Sequence, residues 1–127
     1  MADECELMRK IVGDAFWQIL YHERMLARAH GFLAVVRALV TRVGIQVTDE
    51  GARDTYEANE DECECETPVE LLAYLLGRAM NDIEHHETQL RGAHNSMALT
   101  KGLAERARIE VPMGEIEAEE RKRLAAS

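Results

Sequence analysis

Apolar residues recur every three or four positions through residues 8–43 of this 127-residue chain. That spacing is kept for about five heptads and follows one face of an α-helix. Asp3 with Glu6 three residues later is typical of a helix N-terminus, and Gly44 is a residue type at which helices commonly end. The pattern therefore predicts a first helix over residues 4–43. Its apolar positions are Met8, Val12, Ala15, Phe16, Ile19, Leu26, Ala29, Leu33, Val36, Val40 and Val43.

A second helix is indicated by the sequence Thr67-Pro68-Val69-Glu70. Thr67 can cap the helix, Pro68 suits its first position, and Glu70 completes a capping box. An apolar stripe follows these residues and predicts a helix over residues 68–108. The stripe consists of Leu72, Leu75, Leu76, Ala79, Ile83, His86, Leu90, Ala93, His94 and Met97.

The C-terminal residues predict a short tail helix over residues 113–127. Pro112 and Gly114 interrupt the preceding helical pattern. After them, glutamates are followed four residues later by arginines. Opposite charges at this spacing attract each other and stabilise an exposed helix. We expect this tail helix to be charged and exposed, with the pairs Glu117–Arg121 and Glu119–Arg123.

Residues 45–66 are predicted to form an acidic connector between the two long helices. Nine acidic residues lie between positions 49 and 66 against Arg53 alone, so this segment holds most of the net charge of −9. Most of it lacks helical periodicity, although residues 48–58 could add a turn of helix. Cys63 and Cys65 supply only two of the four ligands that a structural zinc usually takes. The chain also has no basic cluster of the kind that nucleic-acid binding needs.

Composition and patterning together predict an all-α protein of one domain, residues 1–127. Aromatic residues make up 5% of the chain and prolines number two, which favours helix over sheet. The expected fold is a long antiparallel helical hairpin with an acidic connector and a short C-terminal helix. Because two helices cannot cover each other's apolar faces, we expect the hairpin to complete a bundle by self-association. The predicted interface is Phe32, Val35, Val36, Leu39 and Val40.

Four of the five histidines occur in two copies of one pattern, HERMLARAH at residues 22–30 and HETQLRGAH at residues 86–94. In an antiparallel hairpin of the predicted lengths, Glu23 and Glu87 lie at the same height. His22 and His86 fall on the apolar stripes beside them. Two imidazoles and two carboxylates are ligands that divalent transition metals such as iron or zinc accept.

Three interpretations of this repeat stay open. His22, Glu23, His86 and Glu87 could hold a metal ion, with His30 and His94 in outer layers. Each outer histidine, however, lies seven residues from the glutamate of its own copy, roughly 10 Å along the helix. The same four side chains could instead hydrogen-bond one another and fix the register of the bundle, or they could act in acid–base catalysis.

The sequence favours a non-enzymatic interaction or assembly protein without a cofactor. We expect it to bind a second copy of itself, other protein subunits, or both. We do not expect it to bind nucleic acid or a membrane. No run of about 18 uncharged apolar residues is present, and the N-terminus lacks the order of a signal peptide. We therefore expect it in the cytoplasm or within an intracellular assembly. The alternative is a metal-binding bundle of the carboxylate–histidine type, with the ligands named above.

Overall fold

The structure, a computed structural model, describes residues 2–60 and 64–127. Within these ranges the chain forms four helices and no strand, which confirms the all-α prediction. They are α1 (Ala2–Val43), α2 (Asp49–Ala58), α3 (Pro68–Arg106) and α4 (Met113–Ala125). The helices α1 and α3 pack against each other in antiparallel orientation, as the sequence predicts. Both begin and end within two residues of the expected positions.

The ends of the long helices follow from the residues that the sequence places there. Gly44 adopts a φ of 78° and donates its backbone N–H to the carbonyl of Val40 at 3.1 Å. Glycine adopts this left-handed conformation without the steric penalty of a Cβ atom, so α1 ends here. At the start of α3, the Glu70 N–H donates to Thr67 Oγ1 at 3.1 Å, while Glu70 Oε2 accepts from the Glu66 N–H at 3.1 Å. The predicted capping box is therefore present, with Glu66 as the backbone donor.

The contacts of the chain fall into two compact units. The central unit is residues 25–86 and contains the end of α1, all of α2 and the start of α3. The terminal unit consists of two segments, the residues up to Arg24 and the residues from Glu87 onward. It contains the start of α1, the end of α3 and all of α4. The prediction that residues 1–127 form one domain stays a prediction.

The central unit has an apolar core to which three helices contribute. Its buried members are Val36, Ala52, Leu76 and Met80. Ala52 belongs to α2, so part of the predicted connector is a ten-residue helix packed into the core. The sequence allowed a turn of helix over residues 48–58, and the structure has a ten-residue helix there. Residues 61–63, which include Cys63, lie outside the described part of the chain, and Cys65 is half-buried.

Several polar contacts hold α2 in place. Thr48 caps the helix, accepting the Gly51 N–H at 3.0 Å. Arg37 of α1 lies 3.8 Å from the Asp49 carboxylate, and Arg53 pairs with Glu84 of α3. These pairs are exposed and each contributes little free energy.

The terminal unit has its own core, formed by Val12, Ile19, Met97 and Ile116. Ile116 lies on α4 and is fully buried, so the tail helix is not the exposed element that its charge pattern suggested. Glu120 is buried as well, at 8% exposure. Its Oε2 lies 3.2 Å from Arg123 Nη1, and its Oε1 would lie 3.1 Å from a Cβ atom added at Gly13. The Glu120 carboxylate therefore packs closely against α1 at Gly13.

Candidate interaction surface

The repeated pattern places its histidines and glutamates in different environments. His22 is buried and its ring meets the Tyr21 ring edge-on at 5.1 Å. His86 is half-buried and meets the His85 ring in the same way at 5.1 Å. Glu23 and Glu87 both lie in the terminal unit and are exposed. Neighbouring residues diverge by about 100° around a helix, which explains why each histidine is covered while the adjacent glutamate faces water.

The metal hypothesis for this pattern stays a prediction. His30 and His94, the proposed outer residues, are exposed. Among the residues that the structure describes, no group of three or more His, Cys, Asp or Glu side chains is arranged to hold a metal ion. Both His22 and His86 interact with other protein groups. The interpretation in which the histidines fix the register of the helices is likewise untested.

A stripe of exposed apolar side chains runs along α1 in the central unit. Phe32 is 40% exposed, Val35 58%, Leu39 42% and Val43 58%. Successive members are three or four residues apart, so they share one side of the helix. We call these four residues the α1 stripe. Exposed apolar patches are a feature of many interaction sites.

The five predicted interface residues divide between this stripe and the core. Phe32, Val35 and Leu39 belong to the stripe. Val36 is only 1% exposed and packs in the central core, while Val40 is partly buried against the same core. Val36 and Val40 therefore contribute to the packing of their own chain, and Val36 is unsuited to probe association. The sequence pattern did not separate the two sets because both consist of large apolar residues within nine adjacent positions.

A groove between α1 and α3 adjoins the stripe on the central unit. It encloses a volume of about 250 Å³ and is lined by Met25, Arg28, Ala29, Phe32, Arg78, Asp82 and His86. Arg28 contacts the Met25 sulfur through Nη1 at 3.9 Å. Within residues 2–60 and 64–127, neither Arg28 nor Arg78 lies in an ion pair. The stripe thus continues into a groove whose rim carries these two arginines.

The terminal unit has an exposed apolar pair that the sequence analysis did not select. Leu7 is 58% exposed and Ile11 is 43% exposed, four residues apart on α1. Ile11 lines a groove together with Asp14 and Gln18 of α1 and with small or polar residues of α3. The sequence does contain a signal for this pair. Leu7 and Ile11 are four residues apart, and they lie on a different side of α1 from Met8 and Val12.

Charge is divided sharply along α1. Residues 24–48 contain four arginines and neither aspartate nor glutamate. Residues 3–14 contain the acids Asp3, Glu4, Glu6 and Asp14 against Arg9 and Lys10. The α1 stripe therefore lies on a basic stretch of helix, whereas Leu7 and Ile11 lie on a mildly acidic one. The overall net charge of −9 conceals this difference.

Comparisons of the chain with protein-family models, with characterised proteins and with solved structures find no match. In the described ranges, no helix is both long and apolar enough to cross a membrane.

Proposed function

We propose that this chain is a non-enzymatic helical interaction protein that acts as an oligomer or as a subunit of a larger assembly. The observation that carries the proposal is the α1 stripe, where four large apolar side chains between 40% and 58% exposed share one side of a helix. Covering a large apolar side chain completely is worth about 1.5–3 kcal/mol. Covering the exposed half of four such side chains would then contribute roughly 3–6 kcal/mol before the cost of association.

The proposal is tested by the mass of the protein in solution. Sedimentation equilibrium should give a mass above 14.4 kDa for the wild-type chain. Leu39→Glu and Val35→Glu should each shift the population toward the monomer, since docking would bury an unpaired carboxylate. Both positions are exposed in the single chain, so the helical circular dichroism spectrum should be unchanged.

Ala34→Glu is the matched control for these variants. Ala34 is exposed, adjoins Val35, and points about 100° away from it around α1. This variant adds the same charge to the same helix turn and should leave the mass of the assembly unchanged. A wild-type chain that stays monomeric at all concentrations would contradict the self-association that we propose. Equal effects of Ala34→Glu and Leu39→Glu would show that the stripe is not the contact surface.

A further inference from the structure

The cations beside the α1 stripe restrict what can cover it. Arg28 lies four residues before Phe32, and Arg42 lies three residues after Leu39. Both arginines are exposed, and within the described residues neither has a carboxylate within ion-pair distance. Two such basic stretches would repel each other if they met directly. A surface that fits this stripe needs apolar residues together with negative charge.

The terminal unit offers a surface with that chemistry. Leu7 and Ile11 are an exposed apolar pair of this unit, as are Leu99 and Leu103 of α3. Only the first pair follows an unpaired acid at helical spacing, since Glu4 lies three residues before Leu7. Glu4 is exposed and forms no ion pair among residues 2–60 and 64–127. Asp14 follows Ile11 on the same stretch and lies 3.7 Å from Arg123. An incoming arginine could therefore reach Glu4 without displacing an ion pair of the described residues.

The spacings of the two surfaces match when their helices run antiparallel. Leu7 and Ile11 are four residues apart, and so are Val35 and Leu39. With Leu7 opposite Leu39, Ile11 falls opposite Val35. Two further pairs then follow from the numbering without adjustment: Glu4 opposite Arg42, and Gln18 opposite Arg28. Val35 and Leu39 thus meet apolar side chains, whereas Phe32 and Val43 fall opposite Asp14 and Asp3. Arg28 and Arg42 each meet a hydrogen-bond acceptor.

From these matches we infer that the α1 stripe is covered by the N-terminal stretch of α1, residues 4–18, of a second copy of the chain. This inference rests on the proposed function, and it adds which residues cover the α1 stripe. Leu7 and Ile11 pack against Leu39 and Val35 of the second copy, and Glu4 pairs with its Arg42. Every copy contains both stretches, so each copy can present one stretch and receive the other.

Reversing the two charges tests the inference. In sedimentation equilibrium, Glu4→Arg and Arg42→Glu should each raise the dissociation constant of the assembly roughly fivefold or more, because each brings like charges together. The double variant, Glu4→Arg with Arg42→Glu, restores opposite charges and should return the constant to within about twofold of wild type. Asp54→Arg on the exposed surface of α2 has the same effect on net charge as Glu4→Arg and should leave the constant unchanged.

Leu7→Glu provides an independent measurement that does not depend on an exposed ion pair. It should dissociate the assembly as strongly as Leu39→Glu does, although the two residues belong to different units of one chain. If Leu39→Glu dissociates the assembly but Leu7→Glu does not, the inferred occupant is wrong while the proposed function stands. The inferred occupant is also wrong if the double charge variant associates no more tightly than the single ones. A wild-type monomer would overturn both the inference and the self-association on which it rests.

Discussion

The tight contact between α2 and α3 gives the sharpest test of the packing. A Cβ atom added at Gly77 would lie 2.2 Å from the Ala52 carbonyl oxygen and 2.7 Å from Tyr56 Cβ. Both distances are below 3.0 Å, a separation that real Cβ atoms essentially never show. The first partner is backbone, so no side chain can rotate to relieve the clash. Gly77→Ala should therefore push α2 away from α3 and disturb the burial of Ala52.

Two opposing effects set the size of this change. Replacing glycine by alanine inside a helix stabilises it by about 1 kcal/mol. Forcing an extra carbon into a packed core costs about 1–3 kcal/mol, and more where backbone must move. Since the obstacle here is the Ala52 carbonyl, the larger cost should apply. We expect Gly77→Ala to lower the free energy of unfolding by roughly 1–2 kcal/mol.

Urea denaturation followed by circular dichroism measures this difference. Gly92→Ala is the matched control, because Gly92 lies in the same helix and nothing lies within 4 Å of its added Cβ atom. That variant should raise the free energy of unfolding by up to about 1 kcal/mol, the helix-propensity gain alone. The two variants should thus move the urea midpoint in opposite directions. An increase in stability for Gly77→Ala equal to that of Gly92→Ala would refute the close approach of α2 to α3.

Three further predictions follow from other parts of the structure. Ile116→Ala should lower the free energy of unfolding by about 2–5 kcal/mol, since it leaves a cavity in the terminal core; a loss below about 0.5 kcal/mol in urea denaturation would mean that α4 is not packed there. Burial, followed by the nearby carboxylates of Glu60 and Asp82, raises the pKa of the Tyr56 hydroxyl above its usual 10.0. The folded state therefore holds the Tyr56 proton more tightly than the unfolded chain does. The resulting stabilisation of the folded state is complete below the pKa of tyrosine in the unfolded chain, and it is lost as the pH rises through the pKa of Tyr56 in the folded state. In Tyr56→Phe, the urea midpoint should therefore fall less steeply at alkaline pH than it does in the wild type. An identical dependence of the midpoint on pH in the two proteins would contradict the raised pKa of Tyr56. If the repeated pattern holds iron or zinc, elemental analysis should find the metal in purified protein, and Glu23→Ala with Glu87→Ala should lower the stability of the metal-loaded form only.

Helix positions were predictable because their signals are local. Gly44 and the Thr67–Glu70 capping box determine where α1 ends and α3 begins through contacts between residues at most five apart along the chain. The apolar spacing of α1 and α3 then fixes which sides of these helices pack together. The sequence alone therefore predicts the antiparallel hairpin, and the helices of the structure follow it.

Contacts that depend on small residues were not predictable in the same way. Ala52 is a small residue, and the packing of α2 around it depends on the absence of a side chain at distant Gly77. In α4, the Glu120 carboxylate lies close to Gly13, 3.1 Å from the position of an added Cβ atom. A pattern of residue types shows that a glycine weakens a helix. It does not show which distant residue occupies the space that the glycine leaves.

The apolar residues of α1 present a similar ambiguity. Periodicity places both Val36 and Leu39 among the hydrophobic residues, yet Val36 is buried in its own chain and Leu39 is exposed. The position of α2 decides between them, because Ala52 and Val36 belong to the same core. The candidate interface could therefore be predicted as a region, and only the packing of α2 identifies its individual members.

From the division into two units we expect a particular order of folding. The central unit is an unbroken run of residues, so its contacts can form as soon as that run leaves the ribosome, and they require little loop closure. The terminal unit joins the two ends of the chain across about 60 intervening residues, a closure that costs roughly 3–4 kcal/mol of entropy for a flexible loop. Met25 and His86 line one groove of the central unit, so its folding brings the ends of that loop together beforehand. The central unit should therefore fold before the terminal unit. Helix α4 should be the last helix to pack.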